Sequence, residues 1–335
     1  MKIAVLAGGV GGAKFLRGLR HHLSIVHPDG DGDGGHTDEV SAIVNTGDDV
    51  WLTGLKVCPD LDSIMYSLAG ANDEVRGWGR AGESERVSAE LTAFGVGWPW
   101  FTLGDLDLGT HIARSHLLRE GLRLTEATER IQARWPSIGV RLLPVTDADV
   151  PTFVSVTDDG VDTQIHFEEW WVKHRANLPT RGFVQRGVED SHITPEARAA
   201  ILEADVVLIA PSNPVVSIGT TLDIPGVREA LAETRAPVVG VSPIIDGAAV
   251  RGMAAACLTA IGVGVTAEAV GLHYGSRASG GILDAWLVDS TDAAAVPALH
   301  GAGIRSRPVP LWMNDDEVSG VLAAAALKTA RELGV

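Results

Sequence analysis

KIAVLAGGVGGAK, residues Lys2 to Lys14, is the stretch that decides the fold. Lys2–Ala7 is a short apolar run that reads as a buried strand. Gly8, Gly9, Gly11 and Gly12 follow at once, and Phe15, Leu16, Leu19 and Leu23 then recur at helical spacing. The order is therefore strand, glycine loop, helix. Glycines let backbone N–H groups come close to a phosphate, and a helix N-terminus adds its positive dipole end. Lys14, on the first turn, adds a full charge. The GxxxxGK[ST] spacing is absent, and Lys14 stands where the third glycine of GxGxxG belongs. The loop is either a generic phosphate cradle or a tight turn without ligand.

The same grammar recurs outward from this unit. Ala42–Val44 is a β-branched run ending in Asn45-Thr46-Gly47-Asp48-Asp49. Asp205–Ala210 (DVVLIA), Ala236–Val241 (APVVGV) and Leu283–Asp289 (LDAWLVD) are continuous apolar strands of the kind buried on both faces. Helical patterns cover Arg228–Thr234 and Glu317–Leu333. Repeated strand–loop–helix units predict an α/β fold: a doubly wound, mostly parallel Rossmann-like sheet. The middle is different. Arg141–Pro144, Pro151–Val156 and Gln164–Phe167 read as strands joined by hairpin signals. One domain over 1–335 is expected, with a core at about 1–135 and 200–335 and a smaller inserted α+β lobe at about 140–195.

Composition narrows the function. The 335 residues are 45% hydrophobic and 21% charged, which is globular. With 27 basic and 43 acidic residues the net charge is −16. That argues against nucleic acid, whose binding domains present a basic face. Two cysteines, Cys58 and Cys257, make neither a disulfide framework nor a zinc set and suit a reducing cytoplasm. No run approaches the ~18 apolar residues of a membrane span, and the opening apolar run is too short for a signal-peptide core. His27–Glu39 contains DGDGG without the glutamate that completes an EF-hand, and reads as a surface insertion.

Chemistry concentrates in Asn45–Ser63, NTGDDVWLTGLKVCPDLDS. Asp48 and Asp49 follow a strand, and Asp60 and Asp62 come a dozen residues on, behind Pro59. A hard cation such as Mg²⁺ takes oxygen ligands from one or two carboxylates and from substrate phosphates. The plain alternative is a turn after Gly47 and a helix over 64–68 capped by Asp62 or Ser63. Trp98, Trp100 and Phe101 suit either a core or the face of a planar ring. In LGDLDLGTH (103–111), Asp105, Asp107 and His111 are read as caps and a satisfied histidine in preference to metal ligands, with Arg114 further along the same helix. PSNPVVSIG (211–219) ends the strand Asp205–Ala210. Ser212, Asn213 and Ser217 there can hydrogen-bond a phosphate or a base, or simply cap a turn.

Taken together these motifs resemble one family. It is the 2-phospho-L-lactate transferase family of coenzyme F420 biosynthesis, including its actinobacterial phosphoenolpyruvate transferase branch. The residues that carry the resemblance are Gly8–Lys14, Asn45–Asp49, Pro59–Ser63, Leu103–His111, HFEEWW at His166–Trp171, Pro211–Gly219 and SPII at Ser242–Ile245. They run in family order over nearly the whole chain. The resemblance implies a transferase that moves a phosphoenolpyruvyl or 2-phospholactyl group from a guanosine diphosphate ester to the ribityl hydroxyl of the deazaflavin Fo, releasing GMP. It implies Mg²⁺ and a homodimer. It assigns Asp48, Asp60 and Asp62 to the metal and to catalysis, with Asp62 also contacting Fo. Gly8, Gly9, Gly11, Gly12, Lys14, Asn45, Ser212, Asn213 and Ser217 would hold substrate. Some archaeal members place a lysine on Fo where this chain has Thr102, so stacking by Trp100 or Phe101 is expected instead. The Trp-rich HFEEWW and PTRGF (Pro179–Phe183) segments favour the enolpyruvyl donor.

Two other functions compete. A nucleotide-binding regulator or sensor would keep the glycine loop but should lack the full acidic set of Asp48, Asp49, Asp60 and Asp62. A dinucleotide dehydrogenase is disfavoured by Lys14 and by the position of Asp48 and Asp49.

Overall fold

The computed structural model describes residues 1–30, 35–250 and 252–334. The centre of the acidic Gly-rich insertion, residues 31–34, lies outside them.

Seven strands form the main sheet: β1 (Lys2–Ala7), β2 (Glu39–Val44), β3 (Arg141–Pro144), β4 (Val206–Ile209), β5 (Val238–Val241), β6 (Ala285–Val288) and β7 (Arg305–Pro308). Every pairing between them is parallel, in the spatial order β7-β6-β5-β4-β1-β2-β3. The chain walks outward from β1 to β3, then returns to the other side of β1 and walks outward again. The order therefore reverses between β1 and β4, where open α/β sheets place their ligands. This is the doubly wound parallel sheet that the sequence predicts.

Side chains of β1 divide between two cores. Ile3, Val5 and Ala7 face Phe15, Leu16, Leu19, Leu322 and Ala326. Ala4 and Leu6 face Ala197, Ile201, Ile218 and Leu231. Burial of both faces explains why the strands read as unbroken apolar runs. Four helices frame the site: α1 (Gly9–Val26), α2 (Pro59–Leu68), α3 (Asp105–Arg119) and α4 (Asp316–Leu333).

The structure departs from the sequence reading at three places. Arg141–Pro144 does not share a hairpin with the strand after it; it pairs with β2 at the sheet edge. Thr152–Asp158, Val161–His166 and Thr180–Gln185 form a separate antiparallel sheet. Its first connection is the two-residue loop Asp159-Gly160, both at positive φ, which matches the twist of a tight hairpin. Finally, α2 begins at Pro59 and not after Asp62, because Pro at the first helical position needs no N–H partner. Asp60 and Asp62 are thus first-turn residues and not caps.

Candidate active site

A cleft enclosing about 580 Å³ opens at the carboxyl ends of β1, β2, β4 and β5. The loops after these strands supply Gly8–Gly11, Asp48, Pro211–Asn213 and Ser242 to its walls, and α2 supplies Asp60 and Asp62.

The glycine segment is the first turn of α1 itself. Gly8 is the N-cap in extended conformation, and Gly9 takes φ +54°. Two of these glycines are required by close approach. A Cβ on Gly8 would lie 2.6 Å from Asp60 Oδ2 and from Ser217 Cβ. A Cβ on Gly11 would lie 2.4 Å from the Pro211 carbonyl oxygen. Ser212 ties the two loops together: Gly8 N–H donates to its Oγ at 3.0 Å, and that hydroxyl donates back to Gly8 O at 2.7 Å. Lys14 lines the cleft with its ammonium donating to Met313 O at 3.0 Å.

A hairpin explains how the two acidic pairs meet. Val50–Leu52 pairs antiparallel with Leu55–Val57 through Thr53-Gly54, both at positive φ. The chain leaves Asp48 and Asp49, turns once and returns into α2, so a spacing of a dozen residues closes in space. Asn45 locks the arrangement. Its side-chain N–H groups donate to Asp60 Oδ2 at 3.0 Å and Val216 O at 3.2 Å. Its Oδ1 accepts from Gly47 N at 2.9 Å and Thr220 Oγ1 at 2.8 Å. All four hydrogen-bonding positions of this buried amide are thereby filled.

The carboxylates fall into two groups. Asp48, Asp60 and Glu168 are buried at the cleft wall beside the glycine segment. Burial, then the charges of Asp60, Glu168 and Asp49, push the Asp48 carboxyl far above its usual range. Burial pushes Asp60 to about 7, against the hydrogen bonds from Asn45 and from the Gly9 backbone. Burial, then Asp60, push Glu168 to about 8. Oδ1 of Asp48 is buried without a hydrogen-bond partner among the described residues. Asp49 belongs elsewhere, 3.3 Å from the Lys56 ammonium and accepting from the Cys58 thiol at 3.1 Å.

The second group is Asp62, Asp107 and His111, whose ligand atoms lie within 4.8 Å of one another. It already holds a cation. The Arg114 guanidinium forks onto Asp62, with Nη1 to Oδ2 at 2.9 Å and Nη2 to Oδ1. His111 Nδ1 is 3.5 Å from Asp62 Oδ2, and its Nε2 is 3.3 Å from Asp107 Oδ2. Tyr66 OH donates to Asp107 Oδ1 at 2.7 Å. Despite its burial, the hydrogen bond and charge of His111 hold Asp107 below the usual carboxylate range. Asp62 thus keeps company with Arg114 and not with Asp48 and Asp60. Asp105 turns away to cap Ser84, accepting from its N–H at 2.9 Å and its hydroxyl at 2.8 Å.

Much of the remaining lining is aromatic. Trp78, Trp100, Phe101, Phe167, Trp171 and Trp312 line the cleft, and Trp98 stacks on Trp100 at 4.8 Å from behind. Thr102 lines the cleft as well. Ser217 lines the cleft beside Gly8, and Asn213 folds its Oδ1 back onto the N–H groups of Val215 and Val216 at 3.0 and 3.3 Å. Glu168 is the acidic residue that sequence reasoning passed over. Its only local signal is a doubled glutamate after a strand; the antiparallel sheet carries it to the cleft.

Residues 3–305 match the family model described as 2-phospho-L-lactate transferase CofD. The chain belongs to that family. It is therefore a transferase. A phosphoenolpyruvate transferase of Streptomyces griseus is 51% identical over 333 residues, covering 99% of both chains. One from Mycobacterium marinum is 49% identical, covering 98% of this chain and 99% of its own. A crystal structure of a UPF0052 family protein from Bacillus halodurans superposes with a TM-score of 0.62 at 18% identity, covering 97% of this chain and 98% of that one. That likeness concerns the fold alone. No described helix is long and apolar enough to cross a membrane.

Proposed function

We propose that this CofD-family transferase moves a phosphoenolpyruvyl group from a guanosine diphosphate ester to the ribityl hydroxyl of the deazaflavin Fo, releasing GMP, in coenzyme F420 biosynthesis. The observation that carries the reading is the set Asp48, Asp60 and Glu168, buried against the glycine segment with no cationic partner among the described residues. Like charges buried together are costly until a cation joins them. The unpartnered Oδ1 of Asp48 fits the same demand. Asp48 and Asp60, with Glu168 facing them, would hold Mg²⁺; bound there, the ion supplies charge neutralisation for the donor's phosphates and the transferred phosphoryl group.

The chain's own groups do the rest. The N-terminal turn of α1 presents backbone N–H groups to phosphate, and Lys14 adds a charge beside them. Ser212 fixes that turn in place, and Ser217 and Asn213 shape the donor side. Trp100, with Phe101 set edge-on to it and Thr102 beside them, would offer a ring face to the deazaflavin, worth ~1–3 kcal/mol for a stacked heterocycle. Asp62, which lines the cleft, accepts the hydrogen bond of the ribityl hydroxyl and orients its oxygen for attack on phosphorus. The near-complete coverage by relatives named phosphoenolpyruvate transferase favours the enolpyruvyl donor over the lactyl one. The enzyme is expected to work in the cytoplasm as a homodimer.

The test is a transfer assay with purified protein, Fo, Mg²⁺ and the guanosine diphosphate esters of enolpyruvate and lactate supplied separately. GMP and the deazaflavin product are read by mass. Product from the enolpyruvyl ester alone is the expected result; product from neither donor would refute the reading.

A further inference from the structure

We propose that Arg114 is the positioning residue for the acceptor: it fixes the plane of the Asp62 carboxylate so that its remaining lone pair faces the acceptor hydroxyl. The inference rests on the proposed reaction and deepens it.

The geometry separates the two roles. Asp62, on the first turn of α2, lines the cleft, whereas Arg114, on α3, lies behind it and is 1% exposed. Its two terminal nitrogens meet both oxygens of Asp62. A fork-to-fork pair fixes the carboxylate plane as well as its distance, which a single ammonium cannot do. A carboxylate offers about four lone-pair sites. Arg114 takes one on each oxygen and His111 Nδ1 stands 3.5 Å from Oδ2, so Oδ1 is the oxygen with a lone pair left for the acceptor.

The rest of the network braces the fork from the cleft wall, where Tyr66, Asp107 and His111 all lie. His111 Nδ1 is 3.4 Å from Arg114 Nη1, and Nη1 also reaches Lys56 O at 3.4 Å. Asp107 and Tyr66 hold the far edge of the His111 ring. Arg114 Nε, by contrast, is buried without a hydrogen-bond partner among the described residues. A buried donor left unpaired is costly. The guanidinium is therefore placed for Asp62, not for its own satisfaction. Without the fork, Asp62 can turn about its terminal torsion, which is broad and two-fold for a carboxylate.

The test compares wild type, Arg114→Lys, Arg114→Gln, Asp62→Asn and the double variant Asp62→Asn/Arg114→Gln. Acceptor and donor are each varied at saturating concentration of the other, and Mn²⁺ binding is followed by electron paramagnetic resonance. Arg114→Lys should lower kcat/KM for Fo by ~10²-fold, the usual effect of misplacing a reacting group by about 1 Å. KM for the donor and Mn²⁺ affinity should stay within about threefold, since neither touches Arg114. In the Asp62→Asn background, Arg114→Gln should cost less than about threefold more, because residues acting as a unit are not additive. A merely structural arginine would lower every parameter together and would add to Asp62→Asn. Either of those results, or a wild-type kcat/KM for Fo in Arg114→Lys, overturns the inference alone. Should Arg114→Gln fail to fold, the lysine variant decides the matter by itself. No product from wild type overturns the proposed reaction and this inference with it.

Discussion

Two acidic groups share one cleft, and they differ in what balances them. Asp62 and Asp107 are met by Arg114, His111 and the Tyr66 hydroxyl, and Asp107 sits below the usual carboxylate range. Asp48, Asp60 and Glu168 meet chiefly one another, and Asp60 and Glu168 rise to about 7 and about 8. Equal burial thus has opposite consequences. A carboxylate with a built-in counter-charge is a finished part, held in one orientation. A carboxylate without one waits for a charge from outside. The tightest cluster of candidate ligand atoms, Asp62, Asp107 and His111, already has a guanidinium against it.

The largest expected effect breaks the open group. Asp48→Asn or Asp60→Asn should reduce turnover ~10³-fold, about 4 kcal/mol of barrier. The same change should stabilise the metal-free fold, because it removes a buried like charge. Steady-state kinetics and urea denaturation without divalent ions check both signs. Lower stability together with lower activity would erase the distinction between the groups.

Breaking the closed group should act in the opposite sense on stability. Arg114→Met leaves Asp62 buried with an unpaired charge and should cost about 3–5 kcal/mol. Replacing both, as Asp62→Leu/Arg114→Met, should recover most of that loss. Equilibrium denaturation of the single and double variants measures the difference.

pH sharpens the comparison further. A carboxyl raised in the folded state keeps a proton that the unfolded chain has already released. Between the ordinary carboxylate range near 4 and the raised values near 8, each step up in pH therefore favours unfolding. Metal-free protein should lose several kcal/mol across that window, at about 1.4 kcal/mol per unit by which each carboxyl is raised. Saturating Mg²⁺ should flatten the slope, and Glu168→Gln should flatten it partly without Mg²⁺. Denaturation midpoints at several pH values supply the data.

The smallest effect tests the frame that both groups share. Ser212→Ala removes two hydrogen bonds to Gly8 and should cost ~1–2 kcal/mol. Activity should fall only in proportion to the disorder of the α1 turn. A loss as large as that of Asp60→Asn would give Ser212 a direct role on substrate.

Much of this was legible in the chain, for local reasons. β1, the glycine segment and α1 are contiguous, so one stretch specified strand, turn and helix. The Asp48 and Asp60 pairs flank a short hairpin whose two-residue turn returns the chain on itself. What stayed hidden depends on distant packing. Arg114 was visible as a spare cation at helical spacing from His111, but its pairing with Asp62 spans 52 residues and two helices. Glu168 reaches the cleft only because a separate antiparallel sheet ends there. Asp62 itself looked like one acid of a set of four, since sequence records charge and spacing but not which charges are already neutralised. Likewise Arg141–Pro144 resembled half of a hairpin, and only the free edge of β2 decided its partner.

The placement of β1 has a consequence in time. Its neighbours in the sheet are β2 and β4, paired as Ile3↔Val40 and Ile3↔Val206. One partner follows within a few dozen residues; the other lies about two hundred residues further along. At ~5–20 residues per second, ribosomal synthesis leaves that second edge of β1 uncovered for ~10–40 s. Ser212, which braces Gly8, emerges only after β4. β1 thus waits for a strand made some two hundred residues later, and any shortened product of translation that stops before β4 has every aspartate of the cleft but no cleft.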